Sequence, residues 1–181
     1  MQNVVMADVD GNIAFQAAGV APKRTLHQGL YGVAPALGWE KQNDWSGYLP
    51  FDMLPSSDNP DSNWIATANQ KVLAINNPNP LTGDWDLPTR YDRIVNLIKE
   101  KSMHDLTSMK SMQADTLSLG ATPLLELFQS SQSQHPLAQQ AKELSKNFDG
   151  NMTINSPSAL IFNAWADQLT RNLFSRLSYL F

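Results

Sequence analysis

Cysteine is absent from all 181 residues. That excludes disulfides, thiolate catalysis and zinc–thiolate sites, and leaves the redox compartment open. Excess positive charge is missing too: 13 Lys and Arg stand against 17 Asp and Glu, for a formal net charge of −4. A general nucleic-acid binder needs a basic footprint to displace counterions, and docking on an anionic membrane needs the same, so neither partner is expected. No run approaches the ~18–20 consecutive apolar residues of a membrane span. The opening residues Met1 to Asp10 lack the cationic region and apolar stretch of a signal peptide. The expectation is either a cytoplasmic protein or a biological N-terminus that lies elsewhere. His27, His104 and His135 share no metal-ligand spacing, and HExxH, P-loop, GxGxxG and GxSxG patterns are all missing.

What is present is enough to fold. Apolar residues make up 42% and charged residues 17%, with five tryptophans, a balance that a disordered chain does not have. Residues 1–88 hold most of the Gly and Pro, whereas residues 89–177 are rich in Leu, Ser, Gln and Met. The fold class is therefore α+β, a β-hairpin and loop half followed by an all-helical half.

Val4 to Asp8 and Ile13 to Ala17 read as a hairpin around Asp10-Gly11-Asn12. An EF-hand reading of Asp8 to Asn12 fails, because Gly falls fourth rather than sixth and position twelve is Gly19. Residues 18–62 read mostly as loop. Trp39, Trp45, Tyr48 and Phe51 either anchor that loop on a surface or fill a small satellite core. Trp64 to Ala68 and Val72 to Ile75 look like short strands around Asn69-Gln70-Lys71.

Four helices are expected after that. The first spans Thr89 to Lys101, with Tyr91, Ile94, Val95 and Ile98 as its stripe. The second starts near Asp105, with Leu106, Met109 and Met112 on one face, and breaks at Gly120 or Pro123. The third runs from Pro136 to Asp149-Gly150, with Leu137, Ala141, Leu144 and Phe148 inward. The fourth starts at Ser158 and buries Leu160, Ile161, Ala164, Trp165 and Leu169. The methionines are expected to be core filler.

An ordered set of segments resembles the penicillin acylase (penicillin amidase) family. It comprises Val5 to Ile13 with Ala18-Gly19, Asp44 to Asp52 with Leu54-Pro55, Asn59-Pro60, and Ile65 to Asn69. It continues with Asp84-Trp85, Arg90 to Ile94, Met112 to Asp115, Phe148-Asp149-Gly150 and Ala159 to Trp165. The resemblance implies a partial αββα N-terminal-nucleophile hydrolase fold. Residues 1–88 are then its β-rich and loop part and residues 89–181 its helical part, within one incomplete domain. It also implies hydrolysis of N-acyl amides, such as β-lactam side chains or acyl-homoserine lactones, through an acyl-enzyme.

In that family the first residue of the larger chain, usually Ser, is the nucleophile. The sequence is accordingly expected to be an internal fragment of the larger chain, inactive alone. Its partners are then the smaller chain and the N-terminal part of the larger one. A periplasmic or secreted location follows from the family only. A non-catalytic binding or structural domain that reuses the scaffold is the alternative.

The resemblance also assigns residues. Asn69 matches the side-chain amide that donates to the oxyanion; its other reading is a hairpin-turn residue. Gln70 stands where many relatives have Asn. Arg93 matches an arginine that orients the catalytic amine and Asn69, against an ordinary helix-surface ion pair; Arg90 replaces it if the alignment slips by one turn. Asp84 matches a calcium-binding aspartate of some members, against a turn residue beside Gly83. No cofactor is required, and structural Ca2+ is the one ion the resemblance allows.

Overall fold

The computed structural model describes residues 1–24, 32–74, 77, 79 and 81–177. His27 and Ile75 lie outside the described residues. The chain divides into two compact units, Met1–Tyr91 and Asp92–Phe181.

The first unit is built on the hairpin. Strand β1 (Gln2–Ala7) pairs antiparallel with β2 (Ile13–Ala18), placing Val4 opposite Gln16 and Val5 opposite Phe15. The turn is closed by Asp8, whose carboxylate accepts from Asp10 N at 3.0 Å, Asn12 N at 2.8 Å and Asn12 Nδ2 at 2.8 Å. Those donors, the Asn12 side chain foremost, hold the Asp8 carboxyl below its ordinary range.

A third strand, β3 (Ser56–Asp58), pairs with the other edge of β2. From sequence the segment reads as loop, because Ser-Ser-Asp has no strand propensity of its own. Long-range pairing makes it a strand, and Asn59 seals the end by accepting from Ile13 N at 2.9 Å and donating to Asn12 Oδ1 at 3.0 Å.

Two expectations for this unit need correction. Among the described residues, Trp64 to Ala68 and Val72 to Ala74 form no strand. Asn63 (φ 58°) and Asn69 (φ 64°) take left-handed backbone, which interrupts an extended run. The aromatics do not fill a satellite core either. Ala21, Leu49, Leu54 and Leu81 form it, with Leu73 and Trp85 against them. Trp39 is 82% exposed, and Trp45 meets Tyr48 edge-on at the surface.

Among the described residues five helices follow: α1 (Thr89–Lys99), α2 (Leu106–Gln113), α3 (Thr122–Ser130), α4 (Pro136–Ser145) and α5 (Pro157–Leu177). The second expected helix is thus two. Pro123 starts α3 rather than breaking α2, since a first-turn residue has no intrahelical bond for its missing N–H to make. Asp105 caps α2, accepting from Ser108 N at 2.7 Å while Ser108 Oγ accepts from Asp105 N at 2.9 Å. Gly150, at φ 95°, lies beyond the end of α4 rather than capping it.

The core of the second unit is aromatic. Phe128, Phe148 and Phe162 are buried with Ala121 and Ala159, and Trp165 packs against them. Ring centroids lie 5.3 Å apart for Phe128–Phe162 and 5.1 Å for Phe148–Phe162. Of the residues expected inward in this region, Phe148 is buried and Ile161 and Trp165 pack on the core. Leu137, Leu144 and Leu160 instead face solvent, while Ser145 and Ala159, next in sequence to two of them, are buried. The aromatic cluster decides which positions turn inward, because large rings bury the most apolar surface. Met103 and Met109 are exposed as well; Met152 is the methionine packed on this core.

Candidate active site

Asn69 sits on a short segment held at several points. Ala68 is buried. Its N–H donates to Gln70 Oε1 at 2.7 Å, so the Gln70 side chain folds back on the backbone. The Asn69 carbonyl accepts from Asp86 N at 3.3 Å, and Gln70 bridges to Asp86 in parallel.

Arg90, in the first turn of α1, completes the clamp. Its Nη2 lies 2.9 Å from the Ala68 carbonyl, 3.0 Å from Asn69 Oδ1 and 2.7 Å from Asp86 Oδ2. A guanidinium only donates, so the amide atom facing it must be the oxygen. The amide orientation of Asn69 is fixed by that chemistry, with Nδ2 left as a donor that has no partner among the described residues. Asn69 lines a groove of about 560 Å³ together with Asn3, Arg24, Thr82, Asp84 and Asp86.

Arg93 is placed differently. It forms a two-pronged pair with Asp115, Nε to Oδ2 at 2.9 Å and Nη2 to Oδ1 at 2.6 Å. The side chains are only 22% and 19% exposed. The Arg93 guanidinium holds the Asp115 carboxyl below its ordinary range, and its own pKa rises in return. Within the first unit the contact to Asn69 is made by Arg90, the residue one turn earlier.

Asp84 closes a small turn, its N–H donating to Thr82 Oγ1 at 3.0 Å. Calcium takes about 6–8 oxygens. Among the described residues no group of three or more His, Asp or Glu could hold a metal ion.

His104 and His135 serve as helix-end groups. His104 Nε2 lies 2.8 Å from the Ile98 carbonyl and Nδ1 lies 3.2 Å from Ser108 Oγ. A carbonyl only accepts, so Nε2 carries the hydrogen. His135 caps α4 by accepting from Leu137 N at 3.3 Å.

Sequence reasoning passed over Asp86, and named Gln70 without its fold-back onto Ala68 N. The Asp86–Arg90 pair was visible as i,i+4 spacing of opposite charges leading into a helix. The Gln70 contact left no sequence signal.

Comparison with known proteins bears on the chain as a whole. A family model described as penicillin amidase matches residues 1–178. An acyl-homoserine lactone acylase, QuiP of Pseudomonas aeruginosa, is 30% identical over 95% of this chain. The penicillin acylase 2 proenzyme of Pseudomonas sp. (strain SE83) is 29% identical over 96%, and penicillin G acylase of Escherichia coli is 29% identical over 93%. The chain spans about a fifth of the curated relatives it matches, 22% of QuiP for instance. Among solved structures, the thermostable penicillin G acylase of Alcaligenes faecalis superposes with a TM-score of 0.56 at 22% identity, over 82% of this chain and 27% of that one. That likeness concerns the fold, a small antiparallel sheet with helices. With a match running through both units, the chain belongs to the penicillin amidase family.

Proposed function

We propose that the chain is part of an N-acyl amide hydrolase in which Asn69 Nδ2 donates to the oxyanion. The observation that carries this reading is the Arg90–Asn69 contact, which ties up the amide oxygen and leaves the amide N–H groups free beside a groove. In amide cleavage a hydroxyl oxygen attacks the carbonyl carbon, and the carbonyl oxygen takes the negative charge. A fixed neutral donor stabilises that charge without needing a proton of its own. The C–N bond then breaks, the amine leaves with the proton drawn from the hydroxyl, and water releases the acyl group.

The attacking hydroxyl is assigned to another part of a longer polypeptide, in line with the chain's span of 22% of QuiP. Residues 1–88 and 89–181 are then portions of one αββα domain completed by that polypeptide. Orientation of Asn69 is assigned to Arg90, and Arg93 acts on the scaffold through Asp115. The relatives' names favour acyl-homoserine lactones or β-lactam amides as substrates, and the family favours a periplasmic or secreted enzyme.

The test is Asn69→Ala in the complete polypeptide, assayed on a chromogenic phenylacetyl or fatty-acyl amide. The expected result is a kcat lower by about 10²–10³ with KM little changed. An unchanged kcat removes the oxyanion role. The 181-residue chain alone is expected to give no turnover, and turnover would overturn the assignment of the hydroxyl elsewhere.

A further inference from the structure

The sheet of the first unit has two edges, and they differ. The outer edge of β3 is blunted: Ser56–Asp58 is three residues long, has no apolar side chain, ends on a carboxylate and lies between Pro55 and Pro60. Those are devices that keep an edge from pairing. Strand β1 has none of them. Gln2–Ala7 is six residues long, without charge, Pro or Gly. Its Val4, Val5 and Met6 are exposed, although successive side chains point to opposite faces. Val4 to Ala7 is a continuous apolar run, the pattern of an interior strand covered on both faces.

Register fixes which backbone groups of β1 are free. Asp8 N donates to Asn12 O at 3.0 Å, and Asp8 opposite Asn12 continues the β1–β2 register. Bonded and non-bonded pairs alternate in an antiparallel ladder. Gln2, Val4 and Met6 therefore bond to β2, whereas the N–H and C=O groups of Asn3, Val5 and Ala7 point to the outer edge. Ala17, opposite Asn3, agrees, since its N–H turns away to the Pro55 carbonyl at 2.8 Å. Among the described residues no strand pairs with the outer edge of β1. That edge also borders the groove at Asn69. Met1, Gln2 and Asn3 line the groove, and Asn3 Nδ2 donates to Thr67 Oγ1, two residues before Asn69.

We propose that an extended, uncharged segment from elsewhere in the longer polypeptide pairs with β1 over residues 3–7. It makes β1 an interior strand and walls the end of the groove formed by Met1, Gln2 and Asn3. The chain's span of 22% of QuiP is the ground for choosing this occupant over a second copy. The inference rests on the reading of the chain as part of a longer polypeptide, and not on the role of Asn69.

Residue-by-residue hydrogen–deuterium exchange on the complete polypeptide tests it at the amides of Asn3, Val5 and Ala7. They are expected to exchange at least about 100-fold more slowly than in an unstructured peptide, as slowly as those of Val4 and Met6. Exchange near the peptide rate at the three outward amides, with Val4 and Met6 protected, overturns the proposal. So does protection that is lost when a dimer is diluted to monomer, which would assign the edge to a second copy. Val5→Pro removes an N–H that β2 does not use, a change that a free edge tolerates. It is expected to lower the Tm of the complete polypeptide as much as Met6→Pro, which breaks the β2 ladder in either case. An unchanged Tm in Val5→Pro overturns the pairing. None of these readouts uses activity. Unprotected amides beside an inactive Asn69→Ala strike the pairing alone, and protected amides beside a fully active Asn69→Ala strike the oxyanion role alone.

Discussion

The two units hold themselves together by different means. In Asp92–Phe181 the holding mass is aromatic: three buried phenylalanines and a tryptophan in ring-to-ring contact. In Met1–Tyr91 the buried cluster is Ala21, Leu49, Leu54 and Leu81 with Trp85 half-buried against it, while Trp39, Trp45, Tyr48 and Phe51 stay outside. Shape there comes from directional polar contacts such as Asp8 in its turn, Asn59 at the end of the sheet and Arg90 on the Asn69 segment. The contrast teaches that the proposed donor amide is aimed by hydrogen bonds, not wedged by packing. Polar aim fixes which atom faces outward, which apolar packing around an amide cannot do.

The sharpest way to break this comparison is to remove a ring from each unit. Phe162 is 3% exposed and touches Phe128, Phe148 and Trp165. Phe162→Ala is expected to cost about 3–5 kcal/mol, from lost transfer energy plus the cavity left behind. Trp39→Ala, at a surface position, is expected to change stability by less than about 0.5 kcal/mol. Denaturant unfolding followed by circular dichroism reads both. A Trp39→Ala loss as large as that of Phe162→Ala would show that the first unit has an aromatic core after all.

The same contrast explains what the sequence disclosed. Hairpin, helical half and the starts of α1, α2 and α4 were legible, because Asp10-Gly11, Pro88, Asp105 and Pro136 act locally. The outward turn of Leu137, Leu144 and Leu160 was not, because leucine spacing alone favours them inward, whereas distant phenylalanines decide which positions are buried. Strand β3 was hidden for the same reason: its partner β2 lies some forty residues earlier. At the site, Asn69 was named from resemblance, but the contact Arg90 makes with it and the pairing of Arg93 with Asp115 depend on helix phase and on a residue after α2 with no spacing rule linking it to α1.

Charge sharpens the comparison next. The Arg93–Asp115 pair is the part-buried polar fastening of the second unit, and Asp115→Asn is expected to cost about 1–3 kcal/mol, between exposed and fully buried pairs. The sign with pH follows from Asp115, whose folded pKa is depressed by Arg93. Its contribution is present above the unfolded value of about 3.9 and is lost as pH falls through the lower folded value. Urea midpoints measured from pH 7 down to pH 2 should therefore fall less steeply below about pH 4 in Asp115→Asn than in the parent. Parallel profiles would deny the pair any role in acid stability.

The smallest effect separates the two readings of Asn69 itself. Its φ of 64° is left-handed, a region that costs a residue with a Cβ roughly 1 kcal/mol and costs glycine nothing. Asn69→Ala and Asn69→Gly both lose the amide, and only the alanine keeps the strain. The glycine variant is expected to be more stable than the alanine by about 1 kcal/mol, read as a difference in urea midpoint. Activity of the complete polypeptide is expected to fall equally in both, because the missing donor is the same. A turn residue would behave otherwise: activity would follow stability, and the glycine variant would keep it. Equal loss at unequal stability ties the defect to the nitrogen that Arg90 leaves free.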